Sequence, residues 1–89
     1  DKMKKDGIEI VKIEDSAYYF KLGSLLNERK ISKTKLCQDT ETDYKVITRY
    51  IAGDLTRLDI NVLERLCNYF DCDISDIVEL KRNFFKKKA

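Results

Sequence analysis

The chain has 89 residues, 43% apolar and 38% charged, enough for one small core and too charged for a membrane protein. It contains no His, no Pro, no Trp and only three Gly. The commonest general base, the commonest zinc ligand and a phosphate-cradling glycine loop are therefore missing, and neither enzyme chemistry, a metal nor a cofactor is expected. The net charge of +2 conceals a gradient. Residues 18–53 carry seven basic side chains against four acidic ones, while 1–17 are net −1 and 54–89 are balanced. No run approaches the ~20 apolar residues of a membrane span, and no charged-apolar-small leader opens the chain, so a cytoplasmic protein is expected.

Residues 1–17 differ in composition from the rest. Ile8-Glu9-Ile10-Val11-Lys12-Ile13 is rich in β-branched residues and fits a short strand or an arm. Its only late pairing candidates are Ile77–Leu80 and Phe84-Phe85. From Ser16, a plausible N-cap, the pattern turns helical: Tyr19, Leu22, Leu25 and Leu26 share a face, giving helix 1 over about 17–29. Ser32 caps a second helix over 33–40, with Leu36 and Cys37 inward. Asp43 caps a third over 44–52, ended by Gly53 as a C′ glycine. After a loop containing Arg57, Asp59 caps a fourth over 60–70, with Val62, Leu63, Leu66, Cys67 and Phe70 apolar. Asp73 caps a short fifth over 74–80. A tail, 81–89, carries Phe84-Phe85 and the cluster Lys86-Lys87-Lys88.

This pattern predicts an all-α fold of five short helices over 18–80, flanked by the arm and the tail. The expected core is Leu22, Leu25, Leu26, Leu36, Cys37, Ile47, Leu63, Leu66, Cys67, Phe70 and Ile77. Cys37, Cys67 and Cys72 are odd in number and wrongly spaced for a disulfide framework or a zinc knuckle, so they read as small hydrophobes in a reducing compartment.

The segment Lys33–Tyr50 reads helix, tight turn, helix. Small Cys37 sits where two helices must approach closely, and β-branched Ile47 follows ten positions later to pack against it. Leu25-Leu26-Asn27-Glu28-Arg29-Lys30-Ile31-Ser32-Lys33-Thr34-Lys35-Leu36-Cys37 resembles the start of the XRE/Cro-repressor helix-turn-helix family. Val46–Gly53 resembles its recognition helix, and Asp59–Val78 its last two helices. The resemblance implies a lambda-repressor-like five-helix domain and a sequence-specific, double-stranded-DNA-binding transcriptional regulator, a repressor acting as a homodimer. Three positions depart from the family pattern: Lys33 stands where Gln is frequent, Glu41 where the turn usually has Gly, and Thr42 where it usually has Val.

On such a fold the outward face of helix 43–52 shows Tyr44, Lys45, Thr48 and Arg49, the candidate base contacts in the major groove. Arg49 suits guanine O6/N7 and Thr48 a thymine methyl. Ser32, Lys33 and Lys35 at the start of the second helix, with Arg57, are candidate phosphate contacts, and Arg29 and Lys30 are weaker ones. Exposed Lys and Arg are common on any surface, and Asp39, Glu41 and Asp43 lie close to this face and oppose an anion there. Ile8–Ile13 and Leu80–Phe85 are the spare apolar surface for a dimer. The competing reading is an antitoxin-like or adaptor module whose partner is a protein. No small-molecule pocket and no membrane anchor is legible.

Overall fold

The computed structural model describes residues 2–86. Three strands come first: β1 (Lys2–Lys5), β2 (Ile8–Ile13) and β3 (Ser16–Phe20). Five helices follow: α1 (Leu22–Arg29), α2 (Lys33–Thr40), α3 (Tyr44–Ala52), α4 (Ile60–Phe70) and α5 (Ile74–Ile77). A last strand, β4 (Val78–Lys81), closes the chain. The strands form one antiparallel sheet in the order β1-β2-β3-β4. The all-α expectation is therefore corrected: the five helices are present, but a four-stranded sheet packs with them.

The sheet begins at a two-residue turn. Asp6 and Gly7 both take left-handed backbone (φ 54° and 81°), and Lys5 pairs with Ile8 across them. Two left-handed residues give the turn whose twist matches that of antiparallel strands, and Asp-Gly is among its preferred sequences. The short strand expected over Ile8–Ile13 is present as β2, not as an arm; its partners are β1 and β3, not the late segments Ile77–Leu80 or Phe84-Phe85. A second tight turn, Glu14-Asp15, joins β2 to β3, with Ile13 opposite Ser16.

Residues 16–20 are strand where helix was expected. Ser16 caps no helix; its Oγ accepts a bond from the Asn83 amide at 3.2 Å. In a strand paired on both edges, alternate side chains can be covered from opposite sides. Phe20 and Tyr18 join Val11 and Val78 against the helices, while Phe84 packs edge-on to Tyr19 with ring centroids 6.1 Å apart. The helical face read from Tyr19 onward begins in fact at Leu22. The chain after Ile77 is corrected likewise. Val78–Lys81 pairs with β3, Phe20 opposite Val78, and the Lys21 amide donates to the Ile77 carbonyl at 2.8 Å. The turn after β4 is tied down by the Phe85 amide, which donates to the Asp15 carbonyl at 2.8 Å. Lys87 and Lys88 of the basic cluster lie outside the described residues.

The remaining helix limits follow their caps. Ser32, Asp43 and Asp59 each accept a backbone N–H in the first turn of α2, α3 and α4, which satisfies amides the helix cannot. Of the expected core, Leu22, Leu26, Leu36, Ile47, Leu63, Leu66, Phe70 and Ile77 are buried, and Leu25, Cys37 and Cys67 pack against them half-exposed. Phe20, Tyr50, Val62 and Val78 complete the cluster. Tyr50 also accepts the Asp59 amide on its hydroxyl at 2.9 Å, joining the end of α3 to the start of α4. No helix among the described residues is long and apolar enough to cross a membrane.

Two glycine positions set how closely sheet and helices approach. A Cβ on Gly23, in α1, would lie 2.7 Å from the Gly7 carbonyl oxygen, so α1 rests directly on the β1–β2 turn. Gly53 has φ +74°, and a Cβ there would lie 2.7 Å from Val11 Cγ2 and 2.9 Å from a ring carbon of Phe20. Gly53→Ala is therefore expected to destabilise the fold by about 2–4 kcal/mol, the left-handed penalty plus overpacking. Urea denaturation checks this; a loss under ~1 kcal/mol would show that the junction yields.

The three thiols are free and half-buried. Burial pushes the Cys72 thiol up to about 11, and neighbouring Cys67 and Asp76 add to it. A raised thiol pKa depletes the thiolate at neutral pH. At pH 8, Cys72 is expected to react with a disulfide reagent roughly twentyfold more slowly than an ordinary thiol of pKa ~8.5, its scarcer thiolate being partly offset by higher nucleophilicity, and to accelerate about tenfold per pH unit until near pH 11. Residue-resolved labelling kinetics across pH 7–11 read this directly.

Candidate nucleic-acid interface

The α2–turn–α3 unit is fixed by backbone before any surface charge is considered. α2 ends at Glu41, whose φ of 50° and ψ of 44° are left-handed. The Thr42 amide then reaches back to the Cys37 carbonyl at 3.0 Å. Both threonines of the turn serve it. Thr40 Oγ1 donates to the Leu36 carbonyl at 2.6 Å, and Thr42 Oγ1 donates to the Thr40 carbonyl at 3.2 Å. Thr42 is buried, and its hydroxyl also accepts from Arg65 Nε of α4 at 3.2 Å. A threonine in place of an apolar turn residue is thus paired, and it links the turn to α4. Leu36 of α2 and Ile47 of α3 are both fully buried, which sets the two helices against one core.

That packing decides which face of α3 looks out. Ile47 and Tyr50 face the core, with Val46 and Ile51 half-buried beside it. Tyr44, Lys45 and Arg49 are exposed, and Thr48 is half-exposed. Three of the expected site residues converge. Lys33 Nζ, from the first turn of α2, donates to Thr48 Oγ1 at 3.5 Å and lies 4.8 Å above the Tyr44 ring centroid. These partners are neutral, so the ammonium is positioned but its charge is not cancelled. Lys45 and Arg49 make no ion pair among the described residues; the Asp43 carboxylate instead accepts the Lys45 amide at 2.7 Å as the α3 cap.

The other candidates are placed differently. Ser32 Oγ accepts the Lys35 amide at 3.1 Å as the α2 cap, which leaves its O–H free to donate. Lys35 pairs with Asp39 at 3.1 Å one helical turn on. Asp39 also accepts a 2.6 Å bond from the Tyr69 hydroxyl. That bond first, and Lys35 second, hold the Asp39 carboxyl below its usual range. Exposed pairs of this kind contribute little and open readily. Arg57 stands apart from the α2–α3 group, on a separate groove of about 330 Å³ formed with Val11, Tyr18 and Leu55. Arg29 is occupied elsewhere: its guanidinium donates to the Phe70 carbonyl at 3.2 Å, at the C-terminus of α4. Lys30 is exposed at the left-handed C-cap of α1.

Two residues that shape the site carried no sequence signal. Arg65 and Tyr69 lie 23 and 30 positions from the side chains they hold. Of the acids near the face, Asp43 is a cap and Asp39 is held by Tyr69 and Lys35. Glu41 is exposed, and it occupies the turn's left-handed position.

A family model for the Cro/C1-type HTH DNA-binding domain matches residues 21–83. The chain is also similar to the crystal structure of the transcriptional regulator VanUg, at 25% identity and a TM-score of 0.60, covering 80% of this chain and 93% of that one. No curated protein matches it.

The left-handed Glu41 yields a prediction. A non-glycine residue there costs about 1–2 kcal/mol, and glycine returns about 0.5–1 kcal/mol of that through its greater freedom in the unfolded chain. Glu41→Gly is expected to gain about 0.5–1 kcal/mol, raising Tm by a few degrees, whereas Glu41→Ala gives no such gain. Thermal unfolding followed by circular dichroism decides it, and an unchanged or lower Tm for the glycine variant would contradict the strain assignment.

Proposed function

The chain belongs to the Cro/C1-type helix-turn-helix DNA-binding family, and from that premise we propose that it is a transcription regulator, a repressor reading the major groove with α3. The observation that carries this reading is the face of α3 itself. Lys45 and Arg49 are exposed without ion pairs among the described residues, and Lys33 is drawn over Tyr44 and Thr48 beside them. A cationic face on the second helix of a helix-turn-helix suits a groove lined by phosphates and base edges.

Each side chain then has a role. Arg49 forks onto guanine O6 and N7, Lys45 donates singly to the same edge, and the Thr48 methyl meets a thymine methyl. Tyr44 reaches a base or a phosphate. Ser32, Lys33, Lys35 and Arg57 contact phosphates, which set register without reading sequence. Lys35 does so by leaving Asp39, an exchange that costs little at an exposed pair.

Regulation is by occupancy. A bound protein blocks or assists polymerase and performs no reaction, and it works in the cytoplasm. One module of this size has limited contact area and hence limited specificity. A homodimer on two half-sites about 34–36 Å apart supplies the remainder.

The test is binding to random-sequence and native upstream duplexes across a salt series, with wild type and Lys45→Ala/Arg49→Ala. Wild type is expected to bind all DNA with a steep salt slope and some sequences more tightly. The double variant is expected to lose that preference, about 1–3 kcal/mol for each lost base contact, while keeping the fold. A double variant that keeps the preference unchanged would remove α3 as the reading element. Absence of binding at low salt by folded protein would turn the search to a protein partner.

A further inference from the structure

The β1–β2 hairpin does more than extend the core. Its turn is pressed onto α1 by the contact between the Gly7 carbonyl and Gly23. That contact brings β1 alongside the start of α2. Lys4 and Gly7 of the hairpin line the same cleft, of about 390 Å³, as Asn27, Ser32 and Lys33. The cleft's apolar floor includes Leu26 and Ile51. Two lysines from different parts of the chain, Lys4 and Lys33, thus line one cleft together with Asn27 and Ser32.

The acids around this rim are few. Glu9, directly across the strand pair from Lys4, approaches its ammonium at 3.9 Å. The Lys4 side chain nevertheless remains 64% exposed. Lys2, on the same side of β1, is paired with Asp54 at an exposed site. Among the described residues, Lys33 has only the neutral partners Thr48 and Tyr44. An isologous contact with a second copy would set these ammonium groups against each other, whereas a polyanion would neutralise them.

We propose that the hairpin is a second DNA-contacting element, in which Lys4 neutralises a backbone phosphate adjoining the one held by Ser32 and Lys33. This rests on the reading of α2 and α3 given above and adds a separate element to it. The hairpin carries no base-reading role: Lys4 supplies affinity and orientation, and α3 supplies sequence preference. Anchoring on Gly23 gives the contact a defined register instead of that of a free arm.

The experiment is fluorescence anisotropy on a labelled random-sequence duplex and a preferred duplex, from 50 to 200 mM KCl. The proteins compared are wild type, Lys4→Ala, Lys4→Arg, Glu9→Gln, Lys45→Ala/Arg49→Ala and, as a control on the outer sheet face, Lys12→Ala. One lost phosphate contact lowers the log–log salt slope by about 0.9 and weakens binding about eightfold at 0.1 M salt. Lys4→Ala is expected to show both losses on both duplexes equally, leaving the preference ratio intact. Lys4→Arg is expected to keep the wild-type slope, Glu9→Gln to bind more tightly than wild type, and Lys12→Ala to match wild type. If Lys4→Ala keeps the wild-type slope while the α3 variant loses preference, the hairpin proposal falls alone. If wild type does not bind, or the α3 variant keeps its preference, the reading beneath it falls too. A Lys12→Ala loss equal to that of Lys4→Ala would reduce the effect to net charge and overturn the proposal.

Discussion

Strand β3 lies between β2 and β4, and that position obliges the two ends of the described chain to meet. β2 is reached through a two-residue turn, but β4 arrives only after all five helices have been laid down. Pairing Phe20 with Val78 therefore closes the helical segment at its base, and the Lys21 amide on the Ile77 carbonyl fastens the closure where strand passes into helix. The helices need it. None exceeds 11 residues and α5 has four, lengths that are marginal in isolation. Their stability comes from the apolar faces they share with one another and, through the same core, with Phe20, Tyr18 and Val78.

The same closure sets the geometry of the surface. Gly53 ends α3 against Val11 and Phe20, so α3 has one depth at which it can sit on the sheet. With Ile47 and Tyr50 committed to the core, the exposed side of α3 follows. The turn before it is held from α2 by its threonines and from α4 by Arg65. The α2–turn–α3 unit is thus braced by three elements, two of them distant in sequence.

Charge counted along the sequence differs from charge available at the surface. Seven basic residues fall within 18–53, but they are not equivalent. Arg29 bonds the end of α4, Lys21 is paired with Glu79, and Lys35 with Asp39. Among the described residues Lys30, Lys33, Lys45 and Arg49 keep their charge uncancelled. Meanwhile Lys4, from a segment whose own composition is slightly acidic, stands beside the start of α2. Asp39, which opposes an anion in a linear reading, is held by Tyr69 and Lys35.

The sequence by itself determined α2, α3 and α4, their three caps and most of the core. Those features are local: a side-chain oxygen at Ser32, Asp43 or Asp59 reaches its own first turn, and apolar residues three and four apart share a face whatever else the chain does. It also contained Asp6-Gly7, a local hairpin signal that pairs Ile8–Ile13 with the strand just before it. The tertiary structure alone decided that Ser16–Phe20 is a strand and that α5 stops at Ile77. Tyr19, Leu22, Leu25 and Leu26 fit a helical period, and residues 74–80 fit one too. Two edges of hydrogen bonding, supplied from residues 8–13 and 78–81, outweigh that periodicity. Likewise, which cations remain uncancelled depends on partners 4 to 58 positions away, and contacts at the longer separations exist only once the chain has closed on itself.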